Sequence, residues 1–292
     1  MAETKKKPEA FEVIIGIILT LWGLLIVVPF FNVIAVSVAT EREYLQVPYM
    51  FFPAKPTFEN YLKLFKDSRI LIGYRTTMLY VIIGVPYNLF LTISTAYALS
   101  KPVFPGKKFF MYFIVFTMYF SGGIIPMYLW VRDLHLINTI WAVILPYGVN
   151  TFYMLIIRNY IIALPPSVSE SARIDGAGEW RILFHIILPL AQPVLATFAL
   201  FFAVDRWNEW YASMIFIKSQ QITPLQIVLR SIVLAADYAN AQAMSTLAGG
   251  GALFSKGLKM AAVIITMAPI MLVYPFLQKY FVKGVTLGAV KA

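Results

Sequence analysis

Residues 167–189 read SVSESARIDGAGEWRILFHIILP, with five charged side chains (Glu170, Arg173, Asp175, Glu179 and Arg181) ahead of Leu183. The surrounding chain is mostly oil: 60% of its 292 residues are hydrophobic and 16% are aromatic. Placing five charges at the centre of a bilayer would cost about 2.5–3.5 kcal/mol each, roughly 12–17 kcal/mol together. The stretch therefore stays in water, between segments that do not. Pro165-Pro166 ends the preceding segment, because proline disfavours helix in the residue before it and has no N–H. Ser167-Val168-Ser169-Glu170 has the form of a capping box: Ser167 accepts from the amide of residue 170, and Glu170 from that of Ser167. About two turns of helix follow, stopping at Gly176, which tolerates a left-handed C-terminal turn. A second helical turn begins around Gly178 and leads Ile186, Leu188 and Pro189 into the next apolar segment.

Only 13% of the residues are charged, where soluble domains carry about 25%. Such a chain cannot cover its surface in water, so the sequence predicts an all-α integral membrane protein. A crossing helix needs about 20 apolar residues, and six stretches meet that: 13–38, 76–99, 109–131, 138–158, 186–204 and 260–281. The first is too long for a signal-peptide core and lacks a small-residue cleavage site, so it is expected to be retained as span one. Six spans put both termini on one side. Lys5-Lys6-Lys7 and the Lys101, Lys107, Lys108 loop make that side the cytoplasm by the positive-inside rule. The full tally leans the same way, with 12 Lys and Arg in 63 residues on that side against 12 in 97 on the other. The expected organisation is a cytoplasmic N-terminus at 1–12, a six-span domain at 13–281 and a cytoplasmic tail at 282–292. Within the domain lie a cytoplasmic loop at 161–189, between spans four and five, and an extracellular loop at 205–259. The amphipathic 220–248 region, broken by Arg230 and Asp237, is expected to lie outside the bilayer.

The polar loop resembles the EAA loop of the permease subunits of bacterial ABC importers: Glu-Ala-Ala, three residues, Gly, nine residues, Ile-x-Leu-Pro. Glu170, Ala172, Gly176, Ile186, Leu188 and Pro189 occupy the matching positions, and Ser171 replaces the first alanine. The likeness extends along FSGGIIPMYLWVRDLHLINTIWAVILP (120–146), LATFALFFAVDRWNEWYASMIFI (195–217) and MLVYPFLQKYFVKGVTLGAVK (271–291). These resemble the binding-protein-dependent type I, maltose-permease-like carbohydrate branch, and within it the LplC/YtcP-like permeases of complex or acidic oligosaccharides.

That resemblance implies a coupling helix at Glu170, Ser171, Ala172, Asp175 and Gly176 that sits in a cleft of an ATPase subunit, with Pro189 fixing the path into span five. It implies a second homologous permease, two copies of an ATP-binding subunit, an extracellular solute-binding protein and a bacterial cytoplasmic membrane. The Gly284–Val290 tail matches a segment that contacts the nucleotide-binding subunits. Gly249, Gly250 and Gly251 match a loop that enters the binding protein's sugar site, though three glycines suit a flexible turn equally well. ATP and Mg belong to the partner ATPase, so no cofactor is expected on this chain.

Nothing in the residues suggests catalysis. There is no G-x-x-x-x-G-K-[ST] phosphate loop, no cysteine, and no histidine pair for a metal site, His135 and His185 lying far apart. The formal charge of +10 is explained by loops facing the cytoplasm and by membrane lipid, so a nucleic-acid partner is not expected. That balance is compatible with acidic sugars such as pectin-, alginate- or glycosaminoglycan-derived fragments. Sugars are held by aromatic faces and by amide or hydroxyl groups, so Tyr87, Asn88, Tyr119, Trp207, Asn208 and Trp210 are candidates for the path. Each aromatic among them also fits a packing or membrane-interface role. Asp205, Arg206 and Glu209 either line a wet vestibule or pair among themselves. The rival of another class is an ion-coupled secondary transporter, which would bury ionisable groups at mid-membrane. The predicted spans hold almost none. Each span carries proline (Pro29, Pro86, Pro126, Pro146, Pro189 with Pro193, Pro269 with Pro275), so kinks are expected.

Overall fold

The computed structural model describes the backbone of residues 10–245 and 255–289, and side chains over 11–238 and 256–275. Every regular element among them is helical. In chain order these are α1 (Ala10–Ser37), α2 (Glu41–Gln46), α3 (Glu59–Lys66), α4 (Ser68–Ser100), α5 (Lys107–Tyr119), α6 (Ile124–Asp133), α7 (Trp141–Ile144) and α8 (Thr151–Ala163). There follow α9 (Pro166–Ile174), α10 (Glu179–Ile182), a π turn (Leu183–Ile187), α11 (Leu188–Leu190), α12 (Gln192–Trp207), α13 (Tyr211–Phe216), a 3-10 turn (Gln220–Ile222), α14 (Leu225–Ser245) and α15 (Ser255–Ala289).

The chain divides into two compact units, 1–67 with 229–267 and 68–228 with 268–292. In the first, α1 is apolar on every side and exposes Leu19, Trp22 and Leu25 along its length. A helix of this kind needs lipid around it, not water. Its C-terminal end packs Ala35, Val36 and Ala39 against Met50, Tyr44 and Met260. Polar ties fix that end: Asn32 donates to the Met50 carbonyl at 3.0 Å and Asn60 to that of Ser37 at 3.1 Å. Lys259 and Asp237 form an ion pair at 2.7 Å.

The second unit is built on α4. Helices α8 and α12 pack along it around Ile93, Ala96, Met154, Ile157, Phe198 and Phe202. A second cluster joins Tyr80 of α4 to Val131, Val143, Ile144 and Phe216. Asn138, at φ +63, is one of the few side-chain types that enter the left-handed region readily. There its side-chain Oδ1 accepts from the amides of Lys218 and Ser219 at 2.9 and 2.7 Å.

Three expected spans are not straight rods. The 109–131 stretch is bent by 114° between α5 and α6, where Gly123 takes φ +84, a value that suits a residue without a Cβ. The 138–158 stretch is interrupted after α7, since Pro146 cannot donate and Asn150 restarts helix as the cap of α8, accepting from the Tyr153 amide at 3.2 Å. At the fifth, segments 179–190 and 192–207 meet at 87°, between Pro189 and Pro193. Pro29, Pro86, Pro269 and Pro275 are by contrast carried inside continuous helices. Three described helices are long and apolar enough to cross alone, and five crossings result if each bent pair counts as one. The described residues hold one shorter apolar helix besides, the 13-residue α8. The tail matched at Gly284–Ala289 is the last part of α15, while Val290, Gly249, Gly250 and Gly251 lie outside the described residues.

Close backbone approach generates a stability prediction. A Cβ on Gly73 would lie 2.9 Å from the Leu225 Cα, whereas one on Gly16 would meet nothing within 4 Å. Alanine improves helix propensity at both by up to about 1 kcal/mol, but at Gly73 it must move backbone, at a cost of about 1–3 kcal/mol. Thermal unfolding of detergent-solubilised protein should show Gly73→Ala melting several degrees lower and Gly16→Ala unchanged or slightly higher.

Candidate functional site

The polar loop begins with Pro166 at the first position of α9, a place where a missing N–H costs nothing. The expected capping box does not form. Pro165 stands at the N-cap with no side-chain hydrogen bond, and the serines turn their hydroxyls onto carbonyls instead. Ser169 donates to Pro166 at 3.0 Å and Ser171 to Ser167 at 2.8 Å. Placing the two prolines one residue further into the helix than the sequence suggested leaves Ser167 inside the first turn, where it cannot cap.

The other end of α9 forms as expected. Gly176 takes φ +78, its amide donates to Arg173 at 3.0 Å, and the Ala177 amide donates to Ala172 at 2.9 Å. These two bonds are a Schellman motif. Ala172 and Ala177 tuck against the α4–α8–α12 core. The opposite face shows Glu170, Ser171 and Asp175 to the exterior, and Ile174 is 87% exposed among them.

Glu179 ties the loop to the end of α4. One carboxylate oxygen accepts from Arg173 at 3.0 and 3.1 Å, the other from Lys101 at 2.8 Å and from the Tyr97 hydroxyl at 2.6 Å. Burial, the strongest single influence, would raise the Glu179 pKa. Hydrogen bonds from Lys101 and Tyr97, with the charges of Lys101 and Arg173, together outweigh it and hold the carboxyl at about 2. Beneath this cluster a cavity of about 460 Å³ is walled by Ser94, Phe104 and Trp180.

After α10 the Leu188 amide reaches back five residues to Leu183, the wide register of a π turn. Pro189 follows without an amide of its own, so the helix is loosened on both sides of the residue. Ile186 and Leu188 rest on the core, and the chain then swings at Ala191 into α12.

At the far end of α12 lies a second assembly. Arg206 is 4% exposed and Asn88 1%. The guanidinium donates to the Val143, Ile144 and Tyr147 carbonyls at 2.9, 3.2 and 3.0 Å and to Asn88 Oδ1 at 3.0 Å. The Asn88 amide adds bonds to Tyr147 and Gly148 at 2.6 and 2.8 Å, and the Tyr87 hydroxyl one to Leu145 at 3.3 Å. These are the carbonyls freed by the break between α7 and α8. In hydrocarbon each would be costly without a partner. Gly84 makes room for the guanidinium, since a Cβ there would lie 2.9 Å from Nε.

The flanking carboxylates take other donors. Asp205 accepts from the Tyr153 hydroxyl at 3.2 Å, and Glu209 from the Ala212 amide at 2.8 Å. Both line a cavity of about 280 Å³ with Tyr147 and Asn150.

Of the six path candidates, only Tyr87 and Asn88 join this assembly, and there they brace backbone. Tyr119 stands 73% exposed at the end of α5. Trp207 is buried edge-on to Tyr74 at 6.1 Å, facing an apolar cavity with Pro269 and Ile270. Asn208 ends α12 and accepts from Gln226 at 3.3 Å. Trp210 packs on Tyr211 at 5.7 Å. Tyr153, which sequence reasoning passed over, meets Asp205 instead and lines a neighbouring cavity with it. Its signal was Asn150 three residues before it, a cap that fixes where α8 starts.

The family described as binding-protein-dependent transport system inner membrane component matches residues 13–287. Among curated relatives, the chain is 38% identical to protein LplC of Bacillus subtilis, over 92% of this chain and 90% of that one. It is 36% identical to the polygalacturonan/rhamnogalacturonan transport system permease protein YtcP of the same species, over 98% and 99%. A solved bacterial ABC transporter involved in the import of the acidic polysaccharide alginate contains a chain of the same fold. It matches with TM-score 0.83 and 28% identity, over 95% of this chain and 100% of that one. The chain belongs to the binding-protein-dependent inner-membrane permease family.

Two expectations follow from the geometry. Arg206→Met leaves buried carbonyls unpaired at about 1–3 kcal/mol each, so size-exclusion chromatography should show loss of folded protein, with Arg206→Lys intermediate. The depressed Glu179 pKa means that its ion pairs stabilise fully above the usual 4.5 and are lost as pH falls through about 2. Carboxyl NMR titration should place the Glu179 midpoint near the lower value, and Lys101→Met should move it upward.

Proposed function

We propose that this family member is the membrane-crossing permease subunit of an ATP-driven importer, taking oligosaccharides from an extracellular binding protein into the bacterial cytoplasm by alternating access. The observation that carries the reading is α9: a short helix closed by a Schellman turn, strapped to α4 through Glu179 and joined to α12 through α10, the π turn and α11, yet bare on the face of Glu170, Ser171, Ile174 and Asp175. An ATPase cleft fits that face. The chain itself has no phosphate loop, so energy enters from another polypeptide, and the loop with both termini lies on the cytoplasmic side. Two ATP-binding subunits, a second permease and a solute-binding protein complete the assembly, with ATP and Mg held by the ATPases. Ala172 and Gly176 allow close approach, and the π turn with Pro189 sets the direction of α12.

The substrate reading is an oligosaccharide, with uronate-containing fragments favoured. It rests on the polygalacturonan/rhamnogalacturonan named for YtcP and the alginate named for the solved importer. An ion-coupled carrier fits less well, because a family defined by binding proteins works with a separate receptor rather than an ion gradient.

Gly176 gives the test. At φ +78, proline, fixed near −65°, cannot close the turn. In the reconstituted complex, Gly176→Pro should still assemble, while uptake falls to background and ATP hydrolysis no longer responds to the loaded binding protein. Normal uptake by that variant would refute the coupling role of α9.

A further inference from the structure

We infer that Tyr153 and Asp205, with the two cavities that meet at Asp205, form a sugar-hydroxyl subsite on this chain; the inference rests on the oligosaccharide-importer reading and specifies where and how the sugar is held. Asp205 sits in the last turn of α12, an apolar helix of the fifth crossing, with its side chain on the exposed surface. A carboxylate at such a position does not face acyl chains. It faces a water-filled cavity or the bundle interior. Two cavities meet there: one of about 280 Å³ lined by Tyr147, Asn150 and Glu209, and one of about 320 Å³ lined by Tyr153, Phe201 and Tyr274.

The chemistry is that of a hydroxyl-donating ligand. Ionised Asp205 only accepts, and its two oxygens suit a pair of neighbouring hydroxyls. The Tyr153 phenol donates to Asp205 at 3.2 Å, leaving its oxygen free to accept from a further hydroxyl. Its ring is held by Phe198, Phe202 and Phe201 at 5.0, 5.1 and 5.7 Å, so the phenol is aimed before anything binds. Aromatic surface from Tyr153, Phe201 and Tyr274 offers an apolar bed for the carbon face of a sugar ring.

The local charge adds a specificity argument. Arg206 also borders the 280 Å³ cavity, but four of its five N–H groups are taken by Asn88 and the 143–147 carbonyls, so the group nearest in sequence that would welcome a uronate carboxylate is largely spent. Asp205 and Glu209 make the wall acceptor-rich. The subsite therefore grips hydroxyls and turns an acidic substituent outward, which favours neutral residues at this point of the path over uronates.

The test uses the assembled importer in proteoliposomes with α-1,4-galactotriose and α-1,4-trigalacturonate as probes. Asp205→Asn should raise KM for galactotriose about tenfold, the loss of one charged hydrogen bond, with maximal rate little changed. It should raise KM for trigalacturonate less, so the preference shifts at least about threefold toward the acidic sugar, and Asp205→Glu should restore it. Because the chain has no cysteine, Asp205→Cys supplies a single thiol. It should react with a membrane-impermeant methanethiosulfonate while Leu25→Cys on α1 does not. Equal KM changes for the two sugars, or an unreactive thiol at 205, would overturn the subsite. ATP-dependent uptake of neither sugar by wild type would instead remove the oligosaccharide reading, and the subsite's ligand with it, whatever the thiol does.

Discussion

In a medium without water every peptide group must find its partner within the protein, and between α7 and α8 this chain breaks that condition and repairs it chiefly with the side chains of Arg206 and Asn88. The backbone leaves helix between Ile144 and Thr151, and the carbonyls thereby released point at Arg206 and Asn88. A guanidinium suits the task because its N–H groups fan out in a plane and are never titrated away. Its positive charge is spread over carbonyl dipoles rather than set against a carboxylate. The desolvation cost of the ion is thus offset by several charge-assisted bonds, and Asp205 and Glu209 remain available to the cavity beside it.

The same assembly explains why three helices behave as one packed layer. Gly84 lets α12 approach α4 closely enough for Arg206 to pass, and Asn88 on α4 reaches the segment leading to α8. Further along α4, Tyr97 and Lys101 hold Glu179 of the polar loop. α4 is therefore tied twice, once to each end of the stretch that runs from the loop through α12.

What was legible in the sequence was local. Gly176 announced its left-handed turn because the demand for φ > 0 is a property of one residue, and the bend at Pro189 and Pro193 followed from missing amides. The serines of α9 misled because a hydroxyl has two competing uses, capping an amide or bonding back to a carbonyl, and the position of Pro166 decided between them. Arg206 was visible as an ionisable residue near the end of a span. Its role was not, since every acceptor it meets lies 59 to 118 residues away in the chain. Tyr87 and Asn88 were chosen as sugar contacts for chemistry that serves backbone carbonyls equally well. The bend at Gly123 was hidden because composition fixes how apolar a stretch is, not whether it is straight.

On the proposed reading, these ties determine how movement of α9 reaches the cavity. A displacement entering at the bare face of α9 meets a loosened helix at 183–190, where a π turn and Pro189 weaken the intrahelical ladder, and then the packed α4–α8–α12 layer. Packed side chains transmit strain rather than absorb it, so bending concentrates in the loosened turn and the layer shifts as a body. Asp205 and Tyr153 lie on two helices of that layer, so their mutual geometry survives the shift while their exposure to either side of the membrane changes. A site built across a flexible joint would lose its grip during transport. One built within the layer opens to the other side with its hydrogen bonds intact, and release then depends on what the rest of the path does around it.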